Sequence, residues 1–428
     1  MTQTNSKKEF VLEITALSYG PYGIGRANGE VVMVPETVPG DRVGARIRER
    51  KKNYAIGSVV ELLNSSPWRR SPPCPHVREC GGCPWQQLRY EGQLQAKQRS
   101  VGDALKRIAK VDAFDLRPII SSPLEYHYRR RVRFQCDHER RLGFFRPFSH
   151  ELVEIQSCAI ADPAINSCIP ALRNWVQRLQ TAAEQVEIVT GDQSGELVVV
   201  VFTRRPFMAA DDVIYGNLLR EQPQIRGIIF HGDERRACGQ TKLTVMTEEG
   251  IHLFVEADAF TQVNREGNQT IVKELVSAGA FEGSDRVLEL YCGAGNFTLS
   301  IARRVGQIIA VEGHRPSIES GKRCAQLNDL NNIKWIIADV PRATKRLLQR
   351  GERFSKIVLD PPRAGAKGIE RDVAAFGAEQ IFYISCNPTT LARDIAALIK
   401  QGYKLGRVQP IDLFPQTFHV ETLAMLTR

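Results

Sequence analysis

Three short segments in the last third of this 428-residue chain hold the side chains best suited to chemistry. Ser385-Cys386-Asn387-Pro388 ends one apolar run and Leu359-Asp360-Pro361-Pro362-Arg363 ends another, while Phe418-His419-Val420-Glu421-Thr422 leads into the last one. A cysteine ahead of a proline turn can act as a nucleophile where its thiolate is stabilised. Most free cysteines are buried apolar fillers, so the reading depends on what stands beside this one. A carboxylate entering the same cleft can serve as general base, which makes Glu421 one candidate and His419 another.

A second constellation lies upstream. Glu289-Leu290-Tyr291-Cys292-Gly293-Ala294-Gly295-Asn296-Phe297 reads as a strand running through a glycine turn into a helix. Two glycines there let the backbone pass close to a ligand without a Cβ clash. A dinucleotide fingerprint would place a third glycine three residues after Gly295, but Thr298 stands at that position, which argues against NAD. The next apolar run ends in Glu312, placed to accept the hydroxyls of a ribose, and the third ends in Ala338-Asp339, placed for an adenine edge. Each acid alone could be a solvated loop residue. At three consecutive strand ends they favour an adenosyl ligand.

These groups need a scaffold that brings strand ends together. From about residue 256 the runs RVLELYC, QIIAVEG, IKWIIAD, KIVLDPP and QIFYISC alternate with helical stretches, and YKLGRVQPIDL and TLAMLTR follow. This alternation predicts a Rossmann-like α/β domain, a mostly parallel sheet with helices on both faces, whose ligands sit beyond the carboxyl ends of its strands. Residues 86 to 112 carry helical spacing, and about 118 to 255 is strand-rich, an α+β segment. Residues 9 to about 64 read as short strands broken by Gly and Pro, an OB-like β-barrel. NSSPWRRSPPCP reads as a linker between barrel and remainder.

Lys and Arg number 58 against 48 Asp and Glu, a formal net charge of +10. The excess clusters at Arg46, Arg48, Arg50, Lys51 and Lys52 and again at Arg129, Arg130, Arg131 and Arg133, which suits a polyanionic partner. The second block is expected to contact phosphates. No apolar run approaches the ~20 residues of a membrane span, and MTQTNSKKEF lacks the apolar core of a secretory signal. A soluble, cytoplasmic protein is expected, and nothing demands more than a monomer. The ten cysteines therefore read as thiols or ligands and not as a disulfide framework. Cys74, Cys80 and Cys83 form a compact set with Cys158 beyond it; four thiolates can hold zinc or an iron–sulfur cluster, and spacing alone leans to zinc. Cys136, Cys168, Cys238, Cys292 and Cys324 read as packing thiols.

DPPR, SCNP and HVET, with ELYCGAGNF and Phe260-x-Gln262-Val263-Asn264, resemble the RNA uridine-5-methyltransferases, especially the bacterial 23S ribosomal RNA enzymes that carry an iron–sulfur cluster. The resemblance covers nearly the whole chain. It implies a TRAM barrel over 1–67, a central α+β domain over 68–85 and 118–255, and an S-adenosylmethionine-dependent methyltransferase domain over 86–117 and 256–428. It implies Cys386 as nucleophile and Glu421 as base, with Gln262, Tyr291, Asn296, Glu312, Asp339 and Asp360 at the cofactor site, Asp360 also within reach of the uracil. By the same resemblance Cys74, Cys80, Cys83 and Cys158 are ligands of a [4Fe–4S] cluster.

Carbon 5 of uracil is a weak nucleophile, so a thiolate must first add to carbon 6, and a base must later remove the carbon-5 proton. That chemistry calls for a cysteine and a base in one pocket. The runner-up, methylation of an exocyclic amine, favours an aromatic after the two prolines, where Arg363 stands here, and needs no cysteine. The expected partner is RNA with the target base flipped out, 23S ribosomal RNA first and a T-loop uridine of transfer RNA second. A catalytically silent RNA-binding protein is the alternative of another class, and it would need neither Cys386 nor Glu421.

Overall fold

The computed structural model describes residues 9–193, 195–248 and 250–428; residues 1–8, where most of the N-terminal segment read above falls, lie outside the described residues. Strands Phe10–Leu17, Tyr22–Ala27, Glu30–Pro35, Arg42–Arg50 and Ala55–Asn64 close into a barrel in which the fifth strand lies between the third and the fourth. Alternation along them turns Leu12, Ile14, Val32, Val34, Val43 and Ala45 inward.

The stretch after the barrel is not a loose linker. Asp41, buried at the barrel's base, accepts from Val38 N at 2.7 Å and Ser66 N at 2.9 Å and pairs with Arg69 at 2.6 Å. Arg70 donates to Glu125 and Gln416. These charge-assisted bonds fix the barrel against the rest of the chain.

A seven-stranded mixed sheet follows, with strand Arg131–Cys136 between Gln185–Thr190 and Leu142–Phe145. Helices Pro163–Arg178 and Asp211–Glu221 pack Trp175, Leu172, Tyr215 and Leu218 against it. A separate hairpin, Lys242–Glu248 with Ile251–Glu256, leads toward the last domain.

That domain is an eight-stranded sheet ordered Ile333–Ile337, Gln307–Glu312, Arg286–Leu290, Lys356–Leu359, Gln380–Ser385, Glu421–Thr427, Lys404–Ile411 and Asp115–Leu116. The first five strands are parallel, and Glu421–Thr427 is antiparallel to both of its neighbours. The central parallel strands are largely apolar because both faces are covered, with Glu289 a buried exception. Ile357, Leu359, Ile381 and Tyr383 join the core on one face, while Val358, Phe382 and Ile384 join the core on the other. Helix Tyr90–Ala104 packs its Val101 into the first of these cores, next to Leu105 of the π-helical turn that follows. The strand order reverses beside Arg286–Leu290, which opens a crevice at the carboxyl ends. Among the described residues no helix is long and apolar enough to cross a membrane.

Candidate active site

The crevice is a cavity of about 1050 Å³. The strand Arg286–Leu290 delivers its end into Tyr291, whose φ of +66° is left-handed, followed by Gly293 at +57° and Gly295 at +95°. A non-glycine residue held in that region marks a backbone over-determined by its surroundings, here at a ligand-facing turn. A Cβ built on Gly293 would meet nothing within 4 Å, so the loop leaves open space where a ligand can lie. Glu312, at the end of the neighbouring strand, accepts from Gly293 N at 3.2 Å and from His314 N at 2.8 Å. Two backbone N–H groups hold its carboxylate still, with lone pairs remaining for hydroxyls.

Gln262, Tyr291, Asn296, Glu312 and Asp360 all line this cavity. Asn296 is oriented by a reciprocal pair of 2.9 Å bonds with Asn268, a partner that sequence reading did not single out. Asp339 does not line it. Its carboxylate instead accepts from Arg342 N at 3.3 Å and caps helix Val340–Gln349, although its charge still reaches Tyr291.

The other wall carries the reactive groups. Ser385 pairs with Thr422 across antiparallel strands, so Cys386, one residue after the first, and Glu421, one residue before the second, meet side by side at the cavity. Burial pushes the Cys386 thiol up to about 11; the Glu421 charge adds to this and the Arg363 guanidinium opposes it. Burial raises Glu421 to about 8, with Asp360 contributing, and raises Asp360 to about 7. Around neutral pH Cys386 and Glu421 are thus held largely in their protonated forms and Asp360 partly so, as desolvation of clustered anions requires. Arg363 Nη2 stands 2.7 Å from Nδ1 and 3.1 Å from Nε2 of His419. Burial and then Arg363 lower His419 to about 4, leaving a neutral ring that binds a proton too weakly for a base at neutral pH. Of the two candidates, Glu421 has the proton affinity suited to the task.

Arg363, beside Cys386 and His419, is a candidate that sequence reading used only to argue against a stacking aromatic. The signal was present, a cation directly after the two prolines of a strand-end motif. Tyr19, from the barrel, was missed as well. Its hydroxyl donates to Cys386 O at 2.9 Å, and no local pattern connects two residues so far apart in the chain.

The cavity continues past Arg129 to Cys80, Cys83 and Cys158. These three, with Cys74, also border a smaller adjoining cavity. Gly82 N donates to Cys80 Sγ at 3.4 Å. Burial raises the thiols of Cys80 and Cys158, to about 11 for Cys80, and neighbouring cysteines add to the shift. Among the described residues no three or more His, Cys, Asp or Glu side chains gather round one point as a single metal ion requires. Cys168, Cys292 and Cys324 are buried as expected of packing thiols, but Cys238 is exposed on strand Arg235–Gly239 and is no core residue.

The arginine block corrects a sequence expectation. Arg130 is 2% exposed, paired with Asp192 at 2.7 Å and bonded to Gln262 O at 2.8 Å. Arg131 pairs with Glu187 at 2.7 Å and donates to Ala257 O and Ala259 O. Arg133 shares Glu187 and lies over the Phe202 ring. The guanidiniums of Arg130 and Arg131 are committed to internal acceptors, whereas that of Arg133 stays half-exposed. Arg129, half-buried, and Arg133, exposed, both line the cavity wall, so these two of the four face that space for a phosphate.

Two family models match this chain. Residues 89–428 match the family described as tRNA (Uracil-5-)-methyltransferase, and residues 6–60 match the TRAM domain. The chain is 30% identical to the 23S rRNA (uracil(1939)-C(5))-methyltransferase RlmD of Vibrio parahaemolyticus over 100% of this chain and 98% of that protein. It is 32% identical to the protein of the same name from Photobacterium profundum, over 100% and 95%. Among solved structures it superposes on the Pyrococcus abyssi tRNA (uracil-54, C5)-methyltransferase in complex with S-adenosyl-L-homocysteine, with a TM-score of 0.74 at 21% identity. The match covers 98% of this chain and 100% of that one. At that identity the likeness establishes a shared fold.

Proposed function

The chain belongs to the tRNA (uracil-5-)-methyltransferase family, and from that premise we propose that it methylates carbon 5 of a uridine in 23S ribosomal RNA through a covalent cysteine adduct. The observation that carries the reading is one cavity holding a cysteine, a high-pKa carboxyl, an arginine and an open glycine loop. Ribosomal RNA is favoured over transfer RNA because relatives matching the chain end to end are named for 23S ribosomal RNA.

S-adenosylmethionine, when bound, supplies an electrophilic methyl group on a sulfonium cation. Glu312 and the Gly293 turn would hold its adenosyl part, with Gln262, Tyr291, Asn296 and Asp360 as further contacts. Cys386 adds its sulfur to carbon 6 of the uracil, and the electron pair moves through carbon 5 to the carbonyl, making carbon 5 nucleophilic. Arg363 stabilises the thiolate before it attacks. After carbon 5 is methylated, Glu421 takes its proton, the carbon 5–carbon 6 double bond re-forms, and the Cys386 sulfur leaves. Asp360 stands close enough to both groups to influence their protonation.

Cys74, Cys80, Cys83 and Cys158 would hold a [4Fe–4S] cluster. A zinc ion would draw four sulfurs to ~2.3 Å from one point, whereas a cluster takes each thiolate on a separate iron. Cys74, Cys80, Cys83 and Cys158 border one small cavity, which is what favours a shared ligand for them. A cluster there would give structure to the wall that Arg129 shares. Anaerobic preparation should give brown protein with iron and sulfide in equal amounts; colourless protein with stoichiometric zinc would overturn this part.

The central test uses 5-fluorouridine RNA, whose carbon 5 carries no removable proton and so traps the adduct. Wild-type protein should form a denaturation-resistant complex, and Cys386→Ala should form none while losing turnover by on the order of 10⁴-fold or more. Full activity in Cys386→Ala would end the covalent reading. Mapping 5-methyluridine in 23S ribosomal and transfer RNA from cells lacking the protein decides the substrate.

A further inference from the structure

The barrel reaches the catalytic centre itself. Its first two strands are joined by a turn at Ser18–Tyr22, closed by Ser18 N to Tyr22 O at 2.9 Å and Gly20 N to Ser18 O at 2.8 Å. Ser18 Oγ also donates to Tyr22 O at 3.1 Å. The indole of Trp85, 2% exposed, donates to Gly20 O at 3.1 Å, and Trp85 N donates to Gln416 O at 3.1 Å. One residue thus ties the turn to the loop that precedes Glu421. Tyr19 projects from this locked turn, half-buried, against the hydrophobic core of the methyltransferase sheet. Its ring meets Phe418 edge-on at 5.5 Å and His419 at 6.5 Å. Its hydroxyl donates to Cys386 O at 2.9 Å, and Arg363 reaches the same hydroxyl.

We infer that Tyr19 is a positioning residue for the reaction: by holding the Cys386 carbonyl it fixes the peptide that aims the sulfur, so the barrel completes the catalytic centre. The inference rests on Cys386 being the nucleophile. Cys386 sits between strand Gln380–Ser385 and helix Pro388–Ile399, beyond the last ladder bond of one and before the N-cap Asn387 of the other. Its carbonyl has no partner from either element in the bonds described, and the tyrosine takes that place. Rotation of this peptide would swing the Cα–Cβ bond and move the sulfur relative to carbon 6, and ~1 Å of misplacement is enough to cost about 100-fold in rate. Burial keeps the Tyr19 phenol neutral, well above its ordinary pKa, so it remains a donor across the working pH range.

If Tyr19 were only packing at the seam, its ring would suffice and the hydroxyl would be dispensable. Tyr19→Phe in the full chain separates the two. With total RNA from cells lacking the protein as substrate, turnover at saturating RNA should fall about 10-fold, the scale of one buried hydrogen bond. The KM for RNA and the melting temperature should stay unchanged, and adduct formation with 5-fluorouridine RNA should slow by the same factor. Tyr19→Ala, which also removes the ring, should slow it further. Unchanged turnover in Tyr19→Phe, or a raised KM with intact turnover, overturns the inference, as does a loss that tracks a lowered melting temperature. Cys386→Ala run alongside keeps the failures apart. If it is inactive while Tyr19→Phe is fully active, only the role of Tyr19 falls; if it is active, the nucleophile assignment falls first.

Discussion

Cys386, Glu421 and Asp360 are three acids in one partly dry pocket, and each is pushed toward its protonated form. Their ionisations are linked, so activity will report apparent values for the group as a whole. Because the thiolate and the carboxylate are the working forms, kcat/KM should climb as pH rises through about 8, the Glu421 value. A profile flat from about pH 6 to 9 would contradict the roles assigned here. Stability should move the opposite way. The folded-state pKa of Glu421 lies above the unfolded value of 4.5, so the fold binds the proton more tightly. That contribution is full below about 4.5 and is lost as pH rises through about 8. Glu421→Gln should therefore melt no lower than wild type, and higher at alkaline pH, while turnover falls about 10²- to 10⁴-fold. Differential scanning calorimetry beside a rate assay checks both signs.

The elements that carry these residues are held by interactions away from the chemistry. The segment from Asp412 to Val420 delivers Glu421 and is anchored by a fully buried pair, Lys97 Nζ to Asp412 Oδ1 at 2.6 Å, with Lys97 also donating to Phe414 O at 2.9 Å. Lys97 belongs to helix Tyr90–Ala104, so that helix fixes the catalytic loop as well as covering the sheet. Removing one partner strands a buried charge, and Lys97→Ala should destabilise the protein by about 3–5 kcal/mol. Lys97→Met combined with Asp412→Leu should recover much of that loss, as denaturant titration would show; equal losses in the single and the double variant would mean the pair is not what anchors the loop. The capping role of Asp339 is also an element-scale fact. An acid at a strand end and an acid at the next helix's N-cap are the same residue in sequence, and only the Arg342 N–H shows where its carboxylate is spent.

At the scale of the molecule, the central sheet and the methyltransferase sheet share one extended cavity, with Cys80, Cys83 and Cys158 on its wall, while Tyr19 of the barrel bonds the carbonyl of Cys386. Arg129 and Arg133 line the same cavity as Cys386. Arg129→Ala should weaken RNA binding and flatten its dependence on salt, by about one counterion's worth of slope. Arg130→Ala should leave that slope unchanged and instead lower stability by about 3 kcal/mol, because it breaks a buried pair with Asp192. Filter binding across a salt series, paired with melting curves, distinguishes the two arginines; identical slopes for wild type and Arg129→Ala would remove Arg129 from the interface.

What the chain determines by itself is local. The alternation of apolar runs, the Gly293–Gly295 turn, the acid at Glu312 and the cysteine ahead of Pro388 are each legible within about ten residues, because period, turn geometry and strand-end placement are short-range properties. What only the tertiary structure decides is pairing across long separations. Four neighbouring arginines look alike in sequence, yet Asp192 and Glu187 bury Arg130 and Arg131 and leave Arg129 and Arg133 on the cavity wall. A tyrosine in a barrel turn has no local mark of its task, and the Cys386 carbonyl it serves comes to it only when the two domains dock. Charges and hydrogen-bonding groups take whatever partner folding brings within ~3 Å, and linear spacing does not encode that partner.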